Sequence, residues 1–459
     1  MLFSSLEFIF LFLPIMLIAY YIIPMRARNL LLFVSGIVFY AFGEIGLLPI
    51  FLITIGADFA FGLLIEAAKK RKMLARAVLA TAVIFNIALL GYFKYFDFLR
   101  ESVLGLSPIG IALPLGISFY TFQALSYVID VYRGEVRATK NIISFGAYIA
   151  LFPQLIAGPI VKYSDVAGQL AERTVSGELV ARGTRRFICG LAKKVILANA
   201  SGELFEYFSL SESYLGAALT VFFFGMQIYF DFSGYSDMAI GLGIMLGFEF
   251  VENFNYPYIS RTISEFWRRW HISLSSFFRE YVYIPLGGSR CTRGRMAINI
   301  LIVWALTGIW HGAAWSFLIW GAYFAALLII EKLFLAKILN RVPRALLSAY
   351  SLFFIFLGWL IFASDGATLT AEQGWSVFKR LLFIGLPSFA EKHELIVFAG
   401  AIPFSFALIF GSTPMPRRIY YYVCKRAGIL SVILPFCALL LSVAYIVSSG
   451  YNPFLYFRF

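Results

Sequence analysis

Runs of about 20 apolar residues, the length that crosses a bilayer as a helix, recur from Leu2 to Phe457 with short polar interruptions. The pattern predicts an all-α, polytopic membrane protein of roughly ten to twelve membrane helices, re-entrant segments included. The first run, Leu2 to Ile23, has no basic residue ahead of it and no small-residue cleavage site, and it exceeds a signal-peptide core. It reads as a retained first span. No internal repeat, glycine/serine linker or low-complexity tract interrupts the series, so residues 1–459 read as one transmembrane domain with a long insertion, 252–295, and a short tail, 451–459.

Inside the insertion the period changes. Phe266, Trp270, Leu274, Phe277 and Tyr281 fall at intervals of 4, 4, 3 and 4, which predicts one amphipathic helix over 265–281. Arg268, Ser275, Arg279 and Glu280 fall on its opposite face. A helix so divided lies in the interface plane, with its arginines toward headgroups or an anionic ligand. Pro285, Gly287 and Gly288 end it.

Composition supports lipid as the solvent: 61% of residues are hydrophobic, 14% are charged, and mean hydropathy is +0.83. The net charge of +13 sits in loops between apolar runs and not in a basic domain, which argues against nucleic acid. Lys and Arg mark cytoplasmic loops. If the clusters at Arg26/Arg28, Lys69–Arg76, Arg290–Arg295 and Arg417–Arg426 are all cytoplasmic, both chain ends lie outside. Cys189, Cys291, Cys424 and Cys437 lack the spacing of a metal or redox motif.

Three histidines occur. Ionisable groups within membrane segments are costly and usually functional, and imidazole is suited to proton transfer near neutral pH. On the predicted helix His271 shares a stripe with Trp267, Leu274 and Phe278, as a structural histidine would. His311 lies in Thr307-Gly-Ile-Trp-His-Gly-Ala-Ala-Trp-Ser316, between basic residues Arg295 and Lys332. The 35 residues from Ala297 to Glu331 fall short of the roughly 40 that two crossings need. They predict a tilted or re-entrant hairpin with His311 near its turn. Gly308 and Gly312 let a backbone or substrate approach the ring. His393, among charges in Glu391-Lys-His-Glu394, receives no role. His271 and His311 are 40 residues apart, with no third histidine or cysteine in ligand spacing, so no metal site is expected. There is no phosphate loop and no nucleophile-elbow motif.

Arg-Arg-Trp-His271-Ile-Ser-Leu-Ser, followed by Trp310-His311-Gly312, resembles the paired motifs of the membrane-bound O-acyltransferase (MBOAT) family. The likeness is greatest to its bacterial alginate and peptidoglycan O-acetyltransferase branch, and it runs almost end to end. It includes Ser118-Phe-Tyr-Thr-Phe-Gln123 with Tyr127 and Asp130, Phe152-Pro-Gln154, Gly158-Pro159 and Asp231-Phe-Ser-Gly-Tyr-Ser-Asp237. The resemblance implies His311 as the catalytic residue and a supporting, cytoplasmic-side role for His271. It assigns no role to Asp231 or Asp237, for which pairing with Arg268 or Arg269 is the structural expectation, since buried carboxylates need partners.

The resemblance further implies transfer of an acetyl group from a cytoplasmic donor, acetyl-CoA, toward an extracytoplasmic polysaccharide, across the bacterial inner (cytoplasmic) membrane. No permanently bound cofactor is expected. Arg268, Arg269 and Arg279 are candidates for the donor's phosphates. An extracytoplasmic acetyltransferase partner is expected, because the longest outside stretch, 364–394, is too short to bind a polymer. The tail Asn452-Pro-Phe-Leu-Tyr-Phe-Arg-Phe459 resembles the branch's C-terminal aromatic motif, whose central tyrosine is proposed to carry the acyl group; here that residue is Tyr456. Two alternatives stay open: D-alanyl transfer to teichoic acid, and, from another class, a polytopic transporter.

Overall fold

A computed structural model describes residues 2–339, 341–385, 388–450 and 455. Those residues form helices and connecting loops, with no strand among them. Among the described residues eight helices are long and apolar enough to cross a bilayer: Met25–Glu44, Leu48–Ala67, Lys72–Val103, Tyr214–Met245, Trp315–Leu339, Arg344–Ala363, Lys392–Gly411 and Leu430–Ser448. Two more extend the set. Phe8–Ile22 is apolar but shorter than a full crossing, and Arg293–His311 has 19 residues, Arg293 and Arg295 of its first turn included.

The chain packs as two compact units. The first comprises Met1–Ile188 and Tyr235–Glu252. Its interior is built on Ile117–Arg133, which holds the Ser118–Gln123 run with Tyr127 and Asp130 and is buried along most of its length. The carboxylate of Asp237 pairs with the Arg186 guanidinium at 2.8 Å, where the sequence suggested Arg268 or Arg269.

The second unit comprises Cys189–Gly234 and Asn253–Phe459. A helical hairpin forms its centre. Helix Arg293–His311 begins at Thr292, whose hydroxyl accepts the Arg295 N–H, and ends with His311 itself. The chain turns through Gly312, and helix Trp315–Ile330 returns along the first. The turn lies where the sequence placed it, but the limbs are longer than the apolar count implied, running from Arg293 to Leu339. Close packing rests on two glycines. A Cβ on Gly308 would lie 2.4 Å from the Phe317 carbonyl oxygen, and one on Gly321 would lie 2.5 Å from that of Trp304. Small residues facing each other in this way let helix backbones approach in membrane proteins.

The single helix expected over 265–281 is instead broken. Ile263–Arg269 and Ile272–Phe278 are separate helices, followed by a wider π-helical turn, Arg279–Tyr283. The first has its free N-terminal amides met by the buried Glu331 carboxylate, which accepts from Ile263 N (2.7 Å), Ser264 N (2.8 Å) and Ser264 Oγ (2.7 Å). An anion at a helix N-terminus satisfies both its unpaired donors and its dipole. The break falls at Trp270-His271, where His271 takes the left-handed conformation at φ 45°, ψ 55°.

Candidate active site

The break is made by a segment distant in sequence. Asn255 N donates to the Arg269 carbonyl (2.9 Å), and Ile272 N donates to the Asn253 carbonyl (3.0 Å). These bonds replace the helical ones that would have spanned Trp270 and His271. The fully buried Asn253 side chain completes the turn, its Oδ1 accepting from Ser273 N (3.3 Å) and Ser273 Oγ (2.9 Å). The Ser273 amide can only donate, so this oxygen is an acceptor. His271 Nδ1, 3.1 Å from the same oxygen, therefore carries the proton and donates to it. A non-glycine residue at positive φ is strained, and such strain collects at functional sites.

His271 and His311 line one cavity of about 230 Å³. Both rings are buried, by 98% and 95%. The Phe232 ring stands edge-on to His271 at 4.6 Å between centroids. Trp310, Trp320 and Phe362 surround His311 at 4.9, 5.0 and 5.1 Å. Trp267, Trp270, Trp304 and Trp359 join the same aromatic cluster, which thus takes six of the chain's eight tryptophans. Such a wall excludes water and lowers the local dielectric, which strengthens any charge interaction formed within it. Burial also pushes the His271 imidazole down to about 3, so this ring is neutral at physiological pH.

The mouth has the opposite character. Arg268, Arg279 and Lys332 are exposed there, and among the described residues none of the three has a carboxylate partner. The structure therefore brings together four sequence candidates, His271, His311, Arg268 and Arg279. Arg269 does not join them: its guanidinium is paired with Glu265 at 2.9 Å and donates to the Asn255 carbonyl. Tyr456 lies outside the described residues. Asp231 pairs with Lys194 at 2.8 Å, and not with Arg268 or Arg269.

Sequence reasoning missed two residues. Lys332 served only as a mark of membrane side, and nothing in its neighbourhood announced that it returns to the mouth of the cavity. Asn253, 18 residues before His271, belongs to no periodic pattern.

A hydrophobic membrane scaffold that encloses two buried imidazoles beneath a rim of exposed cations has the architecture of a membrane enzyme. The comparisons say which one. The model of the membrane-bound O-acyltransferase family matches residues 42–363, and the chain belongs to that family. It is 42% identical over 396 residues to a protein of Azotobacter vinelandii named probable alginate O-acetylase, covering 84% of this chain and 79% of the relative. It is 33% identical to the peptidoglycan O-acetyltransferase of Helicobacter pylori, over 79% of this chain and 77% of that protein. The teichoic acid D-alanyltransferase of Bacillus subtilis is 29% identical over 58% and 71% of the two chains. The protein is thus an O-acyltransferase of the membrane, and the transporter alternative falls away.

Proposed function

We propose that the protein takes an acetyl group from cytoplasmic acetyl-CoA and passes it across the bacterial inner membrane for O-acetylation of an extracytoplasmic polysaccharide of alginate or peptidoglycan type. The observation that carries this reading is one cavity with two buried histidines inside and, at its mouth, three cations that have no carboxylate partner among the described residues. The cations suit the phosphates of coenzyme A. At about 230 Å³ the cavity is smaller than the roughly 300–1,000 Å³ that a drug-sized ligand fills, so it takes the acyl thioester end and not the whole coenzyme.

A thioester is already activated, so the protein needs to position it, remove a hydroxyl proton and stabilise developing charge. His311 takes the proton as the acceptor oxygen bonds to the acetyl carbon. The carbon–sulfur bond then breaks, and the proton passes to the departing thiolate. His271, neutral and oriented by Asn253, supports the reacting groups without changing charge. The acceptor is a hydroxyl that continues the relay: first Tyr456, then an extracytoplasmic acetyltransferase partner that carries acetyl to the polymer. A tyrosyl phenol, with an ordinary pKa near 10, needs His311 as its base. The phenyl ester so formed passes acetyl downhill to an aliphatic hydroxyl. D-alanyl transfer has less support, since the identity and coverage are greater for the acetylating relatives.

His311→Ala tests this reading, because it removes the base; since the ring packs among Trp310, Trp320 and Phe362, folding is read on the same preparation. Acetyl transfer should fall to background while the chain stays inserted and monodisperse. Near-wild-type polymer acetylation in that variant would overturn the assignment.

A further inference from the structure

Asp231 lines no part of the cavity, yet it is among the most deeply buried carboxylates of the second unit, with 1% of its surface exposed. One oxygen faces Lys194 Nζ at 2.8 Å. Lys194 is equally buried and donates to Asn199 Oδ1 at 2.9 Å. The ion pair is possible because its two helices nearly touch. A Cβ on Gly234, three residues beyond Asp231, would lie 2.7 Å from the Gly190 carbonyl oxygen and 3.0 Å from Lys194 N.

The second carboxylate oxygen of Asp231 accepts the backbone N–H of Leu455 at 3.0 Å, across 224 residues of chain. Leu455 itself is 3% exposed and belongs to the unit's apolar core with Phe208, Phe230 and Trp359. A buried ion pair is tolerated only when its remaining lone pairs find donors. Here the donor is Leu455, so seating Leu455 and satisfying Asp231 are one event.

We propose that the Lys194–Asp231 pair is a lock that holds Leu455 in the interior of this unit, and that both are positioning residues for it. The lock also sits beside the chemistry: Phe232, next to Asp231, is the ring packed edge-on against His271. The use of the lock, to place Tyr456, rests on the relay proposed above; the lock itself does not.

The test uses the full chain in lipid nanodiscs, with hydrogen exchange of the C-terminal peptide and trimming by carboxypeptidase as readouts. Two double variants remove the buried charge equally. Lys194→Met/Asp231→Asn keeps an oxygen for the Leu455 amide, whereas Lys194→Met/Asp231→Leu does not. The asparagine variant should protect the peptide as wild type does. The leucine variant should exchange about 10- to 100-fold faster, the loss expected for a hydrogen bond to a buried acceptor, and should be trimmed past residue 455. If the leucine variant does not fold, Leu455→Pro deletes the same N–H from the chain end and should release the segment likewise. Equal protection in the two double variants, or resistance of Leu455→Pro to trimming, would overturn the lock. Released segments with undiminished acetyl transfer would leave the lock standing and overturn the Tyr456 relay alone.

Discussion

Replacing Gly308 with alanine adds one methyl group at a point where the hairpin has no room for it. The new Cβ would sit 2.4 Å from the Phe317 carbonyl oxygen and 3.2 Å from its carbon. Both are backbone atoms, so no side chain can swing away. Ordinary contact begins near 3.4 Å, and the limbs must therefore separate by about 1 Å at that level. His311 ends the helix three residues later and moves with it. A 1 Å misplacement of a catalytic group costs about 100-fold in rate, or about 2.7 kcal/mol. Stability should change less: overpacking costs about 1–3 kcal/mol, and alanine returns about 1 kcal/mol of helix propensity. The assay is transfer of labelled acetyl from acetyl-CoA in membranes containing the complete acetylation system, with a melting curve in detergent on the same preparation. Gly294→Ala, in the same helix with nothing near its Cβ, is the control. Retention of acetyl transfer within twofold by Gly308→Ala would refute the idea that this close approach sets the position of His311.

Removing one cation from the mouth, by Arg268→Ala, Arg279→Ala or Lys332→Ala, should raise the KM for acetyl-CoA by about 3- to 10-fold with kcat unchanged, the effect shrinking in high salt because the groups are exposed. Arg269→Ala should change KM less than twofold; a larger effect there than at the mouth would refute the assignment of the donor site. The neutral, buried His271 makes stability depend on pH. Its folded value near 3 lies below the unfolded 6.5, so between them the unfolded chain binds more protons. Its contribution is complete above pH 6.5 and falls on acidification, by about 2 kcal/mol at pH 5 at ~1.36 kcal/mol per pH unit. Melting of wild type and His271→Gln at pH 7 and pH 5 should show the smaller acid loss in the variant; equal losses would mean that the folded ring takes up a proton. Tyr456→Phe keeps the ring and removes the hydroxyl, and polymer acetylation at the wild-type rate in that variant would reduce the residue to an anchor.

Much of this protein is written in patterns local to each segment. A run of apolar residues must become a helix in lipid because its backbone has no other partner for its polar groups. The spans could therefore be read from hydropathy, as could the hairpin turn at His311 and the polar face bearing Arg268 and Arg279. What local pattern cannot express is competition from elsewhere in the chain. The period of 265–281 is continuous, yet Asn253 and Asn255 capture its backbone and break the helix at His271. Gly308 and Gly312 announced a close approach without naming what approaches; it is the backbone of Phe317 at one and its ring at the other. Lys332 is separated from Arg268 by 64 positions in sequence, but the return limb brings both to one cavity. The carboxylates required partners, and helix contact chose Lys194 and Arg186 over the nearest arginines of the insertion. Hydrophobic period is fixed by the solvent around each helix, so the sequence determines it alone. The pairing of polar groups is fixed by which helices and loops pack against one another, and only the folded chain decides that.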